Sequence, residues 1–472
     1  MAYTDFIAAI DLGSSHMVGM VGTKDTSGAL SIVAYEVEKS DTCIRRGCVY
    51  NIKDTAYKIV GLIRKLENKL GGARIGKVYI GVGGQSLRTI NHTVSKILGT
   101  GVVTEETLQE MDRECSEYRP EMLDVLDIAS PLYSLDNHSE SQPVGMSCSR
   151  IEAHYKLIVG RPSLRHAVTT NMVEHIKVDV AGVIVAPLAL ADLILTDQAK
   201  ENGCALIDFG AGVTSVTLYK SGKLAGLYVI PLGSHLITRD LMSLDNLPEK
   251  EAERIKRTNG NAIWEKEKDP QMIPVDLADG RHGSVKSTDV NHVVEARIRE
   301  IIENIYARFE DAGVTNEPGY KIVIAGNGSV LKNLREALSN RFNMEVSYAA
   351  VRKDLIVEGE MIANNLEYTT AAALLLKGTE NCALYVVPEP EVKKPEPAPE
   401  PKIVAPEPKE ITPDPEPEVK KQEPEIKAPI PPKTPKSTKP KGKGWFGTLW
   451  EKAERAADDI GQKIGDTMKE EE

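Results

Sequence analysis

The chain has 472 residues, room for about three domain-sized units. Its 58 basic and 69 acidic side chains leave a formal net charge of −11, which argues against a dedicated nucleic-acid binder. The six scattered cysteines form no C-x-x-C pair, so a reduced, cytosolic protein is expected rather than a disulfide-stapled or zinc-bound one; neither a signal-peptide pattern at the N-terminus nor an apolar run of about 18 residues appears.

In chain order, FIAAIDLGSSHMVGMVG predicts a strand over Phe6–Ile10 ended by Asp11, a tight turn at Gly13-Ser14-Ser15 and a second strand. A strand over 31–39, a helix over Asp54–Lys69 and a strand over 78–82 follow. Residues 86–160 form an extra segment of about 75 residues, ahead of a helix expected over Ser163–His175.

The first design returns in GCALIDFGAGVTSVTLY, with Cys204–Ile207 as the strand, Asp208 at its end and Gly210 to Thr214 as the turn. Each unit places an acidic residue at a strand end, then small residues that let backbone N–H groups approach an anion. One such loop alone could equally be an ordinary hairpin; two of them, 197 residues apart, predict two similar α/β lobes with a nucleotide's phosphates between the turns. Asp11 and Asp208 would then hold a hydrated Mg²⁺. PEKEAERIKRTNG reads as a charged helix, and KIVIAGNGSVLKNL as a strand over Lys321–Ala325, a turn over Gly326–Ser329 and a helix over Val330–Leu338.

Composition changes sharply after residue 387. Residues 388–440 hold 17 of the chain's 27 prolines, 11 acidic and 10 basic residues, and no glycine or aromatic. Such a stretch cannot bury enough apolar surface to offset its ordering entropy, so it reads as a disordered linker, spanning from about 40 Å as a coil to about 160 Å extended. Residues 441–472 change again. On a helix, Trp445, Phe446, Leu449, Trp450, Ile460 and Ile464 share one face, and acidic and polar side chains take the other. That face must be covered by a membrane, a partner or the protein's own body. The clustered Trp445, Phe446 and Trp450, preceded by Lys433, Lys436, Lys439, Lys441 and Lys443, favour an anionic bilayer.

The order Asp11-Leu-Gly-Ser-Ser, Asp208-Phe-Gly-Ala-Gly-Val-Thr and Ala325-Gly-Asn-Gly-Ser resembles the actin, heat-shock chaperone and sugar-kinase superfamily, and more narrowly the FtsA family of bacterial cell-division proteins. Supporting stretches are Cys43-Ile-Arg-Arg-Gly-Cys-Val, Val78-Tyr-Ile-Gly-Val-Gly-Gly, Pro231-Leu-Gly-Ser-His-Leu-Ile-Thr-Arg-Asp and Ala252-Glu-Arg-Ile-Lys. The resemblance covers residues 5–378, and the linker with its amphipathic tail matches the family's ending. It favours FtsA over its relatives because no actin-type subdomain fits between the strands at 31–39 and 78–82, whereas 86–160 is a differently placed insertion.

The resemblance implies an α/β, two-lobed actin-like (ribonuclease-H-like) ATPase fold with an FtsA-type inserted subdomain. Lobe 1 would comprise 1–85 and 161–195, with 86–160 inserted for self-assembly and contacts with later division proteins. Lobe 2 would comprise 196–387, with a subdomain at about 233–318. The linker (388–440) and a membrane-targeting helix (441–472) would follow. By the same resemblance, Gly13, Ser14, Ser15, Gly210, Gly212 and Thr214 contact the β- and γ-phosphates of ATP, Glu253 and Lys256 lie on the ribose and adenine side, and Gly326, Gly328 and Ser329 form the adenosine turn. Asn327 and Ser234 replace glycines of the family pattern, and His16 stands where relatives often carry lysine. Arg297, on the helix around Asn291–Glu300, falls where the family meets the acidic tail of the tubulin-like polymer FtsZ.

In relatives that hydrolyse ATP, a glutamate precedes the proline of an inter-lobe helix. Here Ala186 precedes Pro187, and Asp192 is a possible substitute at a different position, so turnover is expected to be slow or absent. The resulting expectation is an ATP-binding, filament-forming protein that tethers FtsZ to the inner face of the cytoplasmic membrane at the division septum. The alternative is a small-molecule kinase of the same superfamily, which would have no use for an amphipathic tail. A chaperone is disfavoured because 388–472 is too short for a peptide-binding domain.

Overall fold

The computed structural model describes residues 5–99, 101–169, 176, 178–264, 270–357 and 365–384. The linker and tail readings, with Trp445, Phe446, Leu449, Trp450, Ile460 and Ile464, lie outside the described residues, as does the end of the helix expected over Ser163–His175, described as Pro162–Thr169.

The first lobe is built on β1 (Ile7–Leu12), β2 (His16–Lys24) and β3 (Leu30–Lys39), an antiparallel meander. A short hairpin, β4 (Ile44–Arg45) and β5 (Cys48–Val49), precedes the helix Ile52–Lys69. That helix starts because the Asn51 side chain accepts from the Asp54 N–H, and its apolar face (Ile59, Leu62, Ile63, Leu66) is buried. It lies directly on β2, where a Cβ on Gly19 would run into Leu62 and Leu66. β6 (Lys77–Val82) pairs parallel to β1.

The inserted segment then begins. It comprises β7 (Arg88–Ile97), a helix Glu105–Glu117, β8 (Asp124–Leu135), β9 (His138–Glu140) and β10 (Arg150–Gly160). The helix covers one sheet face with its buried Met111 and Cys115. After β11 (Asp179–Val185), parallel to β6, the helix Ala186–Ile194 closes the first lobe, whose sheet order is β11-β6-β1-β2-β3.

The second lobe repeats the design with β12 (Cys204–Phe209), β13 (Thr214–Lys220) and β14 (Lys223–Ile230). Helices His235–Met242, Glu249–Asn259 and Ser287–Asp311 follow, the last preceded by a small hairpin of β15 (Met272–Asp276) and β16 (His282–Lys286). β17 (Lys321–Ala325) and β18 (Glu345–Tyr348) extend the sheet in parallel from β12. The helix Thr369–Lys377 then returns to the first lobe, where Ala371–Leu375 are buried under β1, β2 and β6.

Two readings change. Both aspartates lie inside their strands, paired as Asp11↔Val18 and Asp208↔Ser215, rather than ending them. The helix expected over Val330–Leu338 is a 3-10 turn at Asn327–Val330 followed by a helix at Leu334–Phe342, because Asn333 adopts a left-handed φ of 61° that interrupts helical hydrogen bonding. The structure also joins the insertion to the second lobe's sheet, whose order is β18-β17-β12-β13-β14-β7-β10-β8-β9, through the single register pair Tyr228↔Arg88.

Candidate functional site

The parallel strands β1, β6 and β11 all point their C-terminal ends toward the crevice, as do β12 and β17 in the other lobe, and this is where open α/β sheets take ligands. In the first loop, Ser40 Oγ donates to the Gly13 carbonyl (2.6 Å) and Ser40 N–H to the Ser15 carbonyl (3.0 Å). The Gly13 and Ser15 carbonyls are thus occupied, while the N–H groups of Gly13, Ser14 and Ser15 have no partner among the described residues. The Ser14 hydroxyl accepts from Gly47 N–H at 2.8 Å. His16 is turned sideways: its Nδ1 bonds Ser15 Oγ at 3.0 Å and lies 3.6 Å from Glu367.

The second loop is braced from the helix His235–Met242. Ser234 N–H donates to the Gly210 carbonyl and His235 N–H to that of Ala211. Gly233 packs so tightly beneath Gly212 that a Cβ would stand 2.6 Å from its carbonyl carbon. Gly212 has no room for a side chain either, with Ser14 Cβ at 2.7 Å and Arg46 Cα at 3.2 Å. The two loops, 198 residues apart in sequence at Ser14 and Gly212, are therefore in contact. Thr214 departs from its expected role: it is fully buried and its hydroxyl donates to the Leu232 carbonyl, so it fastens the loop instead of facing a phosphate.

Asp11 and Asp208 lie at the floor of this cleft, ringed by protein yet still open to solvent. Burial, then repulsion from Asp208, pushes the Asp11 carboxyl up to about 7. Burial pushes Asp208 up to about 6, against a hydrogen bond from Ser215. Neither has a basic partner among the described residues. Two enclosed carboxylates that repel each other fit a hard divalent cation, which would remove the repulsion. No group of three or more His, Cys, Asp or Glu side chains forms a metal site among the described residues, so water or phosphate would have to complete the coordination.

Gly326, at φ 78°, presses against Asp208 and Phe209, and a Cβ there would stand 2.6 Å from the Phe209 carbonyl oxygen. A Cβ on Gly328 would stand 2.8 Å from the same carbonyl oxygen and 3.2 Å from Ser234 Cβ. Ser329 is buried, with its hydroxyl on the Gly326 carbonyl. Glu253 and Lys256 pair at 2.6 Å, and both bond Thr238. Burial tends to raise the Glu253 carboxyl, but hydrogen bonds from Lys256 and Thr238 outweigh it and hold the group below its ordinary value. Burial holds the Lys256 ammonium low against the pull of Glu253. Lys256 also reaches the Ser234 carbonyl, which ties this helix to the second loop.

Asp192 is not a free substitute for the absent glutamate. It lies six residues beyond Ala186 and is clamped between Lys200 and Lys377. Arg297 grips Asp240 with both Nε (2.6 Å) and Nη2 (3.0 Å) and also pairs with Glu300. The sequence reading missed Ser40, Ser215, Gly233 and the Arg46-Gly47 turn. Of these, Ser215, Gly233 and the turn lay in stretches already singled out, and only Ser40 lay outside them.

Two facing lobes, paired glycine loops and an aspartate inside the strand that leads into each loop define an actin-like protein with a nucleotide-type cleft. Residues 205–373 match the family model "Cell division protein FtsA", and residues 84–159 match "SHS2 domain inserted in FTSA". The chain is 31% identical to the cell division protein FtsA of Porphyromonas gingivalis, over 80% of this chain and 79% of that one. It is 24% identical to that of Bacillus subtilis, over 76% and 83%. The chain belongs to the FtsA family of cell-division proteins. Among solved structures, the PilM-PilN type IV pilus biogenesis complex superposes with a TM-score of 0.56 at 17% identity, covering 79% of this chain and 98% of that one, a likeness of fold.

Proposed function

We propose that this protein binds ATP with Mg²⁺ between its two glycine loops, assembles into filaments, and holds FtsZ at the inner face of the cytoplasmic membrane, where it helps recruit later division proteins. The observation that carries the nucleotide reading is the contact of two loops from opposite lobes directly above a pair of mutually repelling aspartates. A polyphosphate with its metal supplies what that arrangement lacks: anionic oxygens for free N–H groups and positive charge for the carboxylates. Mg²⁺, held by Asp11 and Asp208 through water, would neutralise phosphate charge. Ala186 offers no group to orient water, and the Asp192 carboxylate is occupied by two lysines, so ATP would act as a conformational and polymerisation ligand with slow turnover at most.

The FtsZ tail is assigned to the subdomain at about 233–318. There the Arg297–Asp240 pair fixes the helix Ser287–Asp311 against His235–Met242 and sets the surface that an acidic peptide would meet. Membrane attachment rests on the sequence of 441–472; no described helix is long and apolar enough to cross a bilayer.

Titration of the purified chain with ATP in the presence and absence of Mg²⁺ tests the cleft: Mg²⁺-dependent binding, lost in Asp208→Asn, is expected, and rapid phosphate release would contradict slow turnover. Pelleting with anionic vesicles, comparing the full chain with one ending at Pro388 and with the Trp445→Glu, Trp450→Glu double variant, tests the tether. Only the unaltered chain should pellet. A kinase would show no difference among the three.

A further inference from the structure

We propose that Arg46 reads the outermost phosphate of a bound nucleoside triphosphate, so that the protein distinguishes tri- from diphosphate through this side chain. The inference rests on the nucleotide reading of the cleft and goes beyond it by assigning a residue outside both glycine loops.

β4 and β5 are joined by Arg46-Gly47, both with positive φ, 50° and 70°. A two-residue hairpin with two left-handed central residues ordinarily takes Asn-Gly, because a Cβ and a long side chain are disfavoured at its first position. Gly47 meets the steric demand, since a Cβ there would stand 2.6 Å from the Gly83 carbonyl oxygen. Arg46 does not, so turn chemistry gives no reason for an arginine. Backbone strain of this kind persists where surrounding contacts over-determine it. Those contacts are present: Gln85 N–H donates to the Arg46 carbonyl (3.0 Å), and Gly47 N–H donates to Ser14 Oγ (2.8 Å).

The turn is thereby fixed between the two loops. Ser14 lies on one side, and Gly212, whose Cβ would stand 3.2 Å from Arg46 Cα, lies on the other. The Arg46 guanidinium is exposed and makes no ion pair among the described residues; its one contact is a long 3.5 Å approach to Gln85 Oε1. Its neighbour differs, for Arg45 stacks over the Tyr50 ring at 4.1 Å. An uncommitted guanidinium on a backbone fixed at the junction of two anion-binding loops can present a planar fork that matches a phosphate.

The position along the second loop selects which phosphate. The loop begins at Asp208 and Phe209, against Gly326 of the adenosine-side turn, and reaches Arg46 at Gly212. A nucleotide with its nucleoside at Gly326–Ser329 therefore presents its far end to Arg46. A diphosphate would end short of it.

The test uses the full chain, Mg²⁺, a non-hydrolysable ATP analogue and ADP, with affinities from calorimetry. Arg46→Ala should weaken the triphosphate about tenfold or more and the diphosphate less than about twofold. Arg46→Lys should recover part of the loss, since it keeps the charge without the fork. Arg46→Gly should lose the same discrimination while melting no lower than the natural chain, because glycine adopts the left-handed turn freely. Equal weakening of both nucleotides, an unchanged affinity ratio, or a lower melting temperature in Arg46→Gly would overturn the assignment. Failure of the unaltered chain to bind either nucleotide would instead overturn the reading of the cleft, and this inference with it.

Discussion

Ser14 and Gly212 touch across the cleft: the serine side chain fills the space in which any side chain at position 212 would stand. The relationship joins the two lobes at the point where both glycine loops turn. It makes position 212 an entry point for perturbing the site without altering a charge.

Gly212→Ala should separate the loops. The added Cβ meets Ser14 Cβ at 2.7 Å and Arg46 Cα at 3.2 Å, so backbone must move. Overpacking of this kind costs about 1–3 kcal/mol, seen as a lower melting temperature, together with weakened ATP binding. Calorimetric titration and thermal melting check both.

Gly61→Ala should act in the opposite sense. Gly61 lies within the helix Ile52–Lys69, and a Cβ there would meet nothing within 4 Å. Alanine restricts the unfolded chain and favours the helix, so stability should rise by about 0.5–1 kcal/mol with nucleotide binding unchanged. A chemical-denaturation curve measures this directly.

The ligand-free protein should lose stability as pH rises between the unfolded aspartate value of 3.8 and about 7. Asp11 and Asp208 keep their protons in the folded state up to about 7 and about 6, whereas unfolded aspartates lose theirs near 3.8. The unfolded state therefore sheds protons first, and its advantage is complete only above the folded values. Asp11→Asn removes one such group. It should melt higher than the natural chain at pH 8, by a margin that shrinks toward pH 4, while losing Mg²⁺-dependent nucleotide binding. Binding of Mg²⁺ and nucleotide near pH 6.5 should release protons, measurable by calorimetry in buffers of different ionisation enthalpy.

Arg297→Ala should destabilise the chain by about 1–2 kcal/mol, because it leaves Asp240 without its two-pronged partner in a half-buried setting. Arg297→Lys should recover only part of this, since an ammonium cannot occupy both carboxylate oxygens with the same geometry. Melting temperatures of the three proteins decide the outcome.

Much of this architecture is written locally. The Asp11 and Asp208 loops, the strands expected at 31–39 and 78–82 and the helix at 54–69 follow from alternation, helical periodicity and glycine placement over short windows, and the inserted segment from the length left between predicted elements. What escaped depends on distant partners. Thr214 looks like a loop residue in sequence, yet the Leu232 carbonyl draws its hydroxyl inward. Asp192 reads as an available carboxylate, yet Lys200, on the short helix Asp197–Asn202, and Lys377, on Thr369–Lys377, claim it. The delayed start of the helix at Leu334 turns on one backbone dihedral at Asn333, a residue that visits the left-handed region without announcing when. The Arg46 turn was visible as a string, but its place between the loops required tertiary structure.

The inserted segment interrupts the first lobe in sequence, yet its strands continue the second lobe's sheet through one register pair, Arg88 with Tyr228, helped by the Val229 N–H on the Leu87 carbonyl. Such a seam behaves as a mechanical fuse. Any rotation of one half against the other would concentrate shear at the narrowest part of this nine-stranded surface, and load applied to the insertion would travel back along the same route toward the cleft.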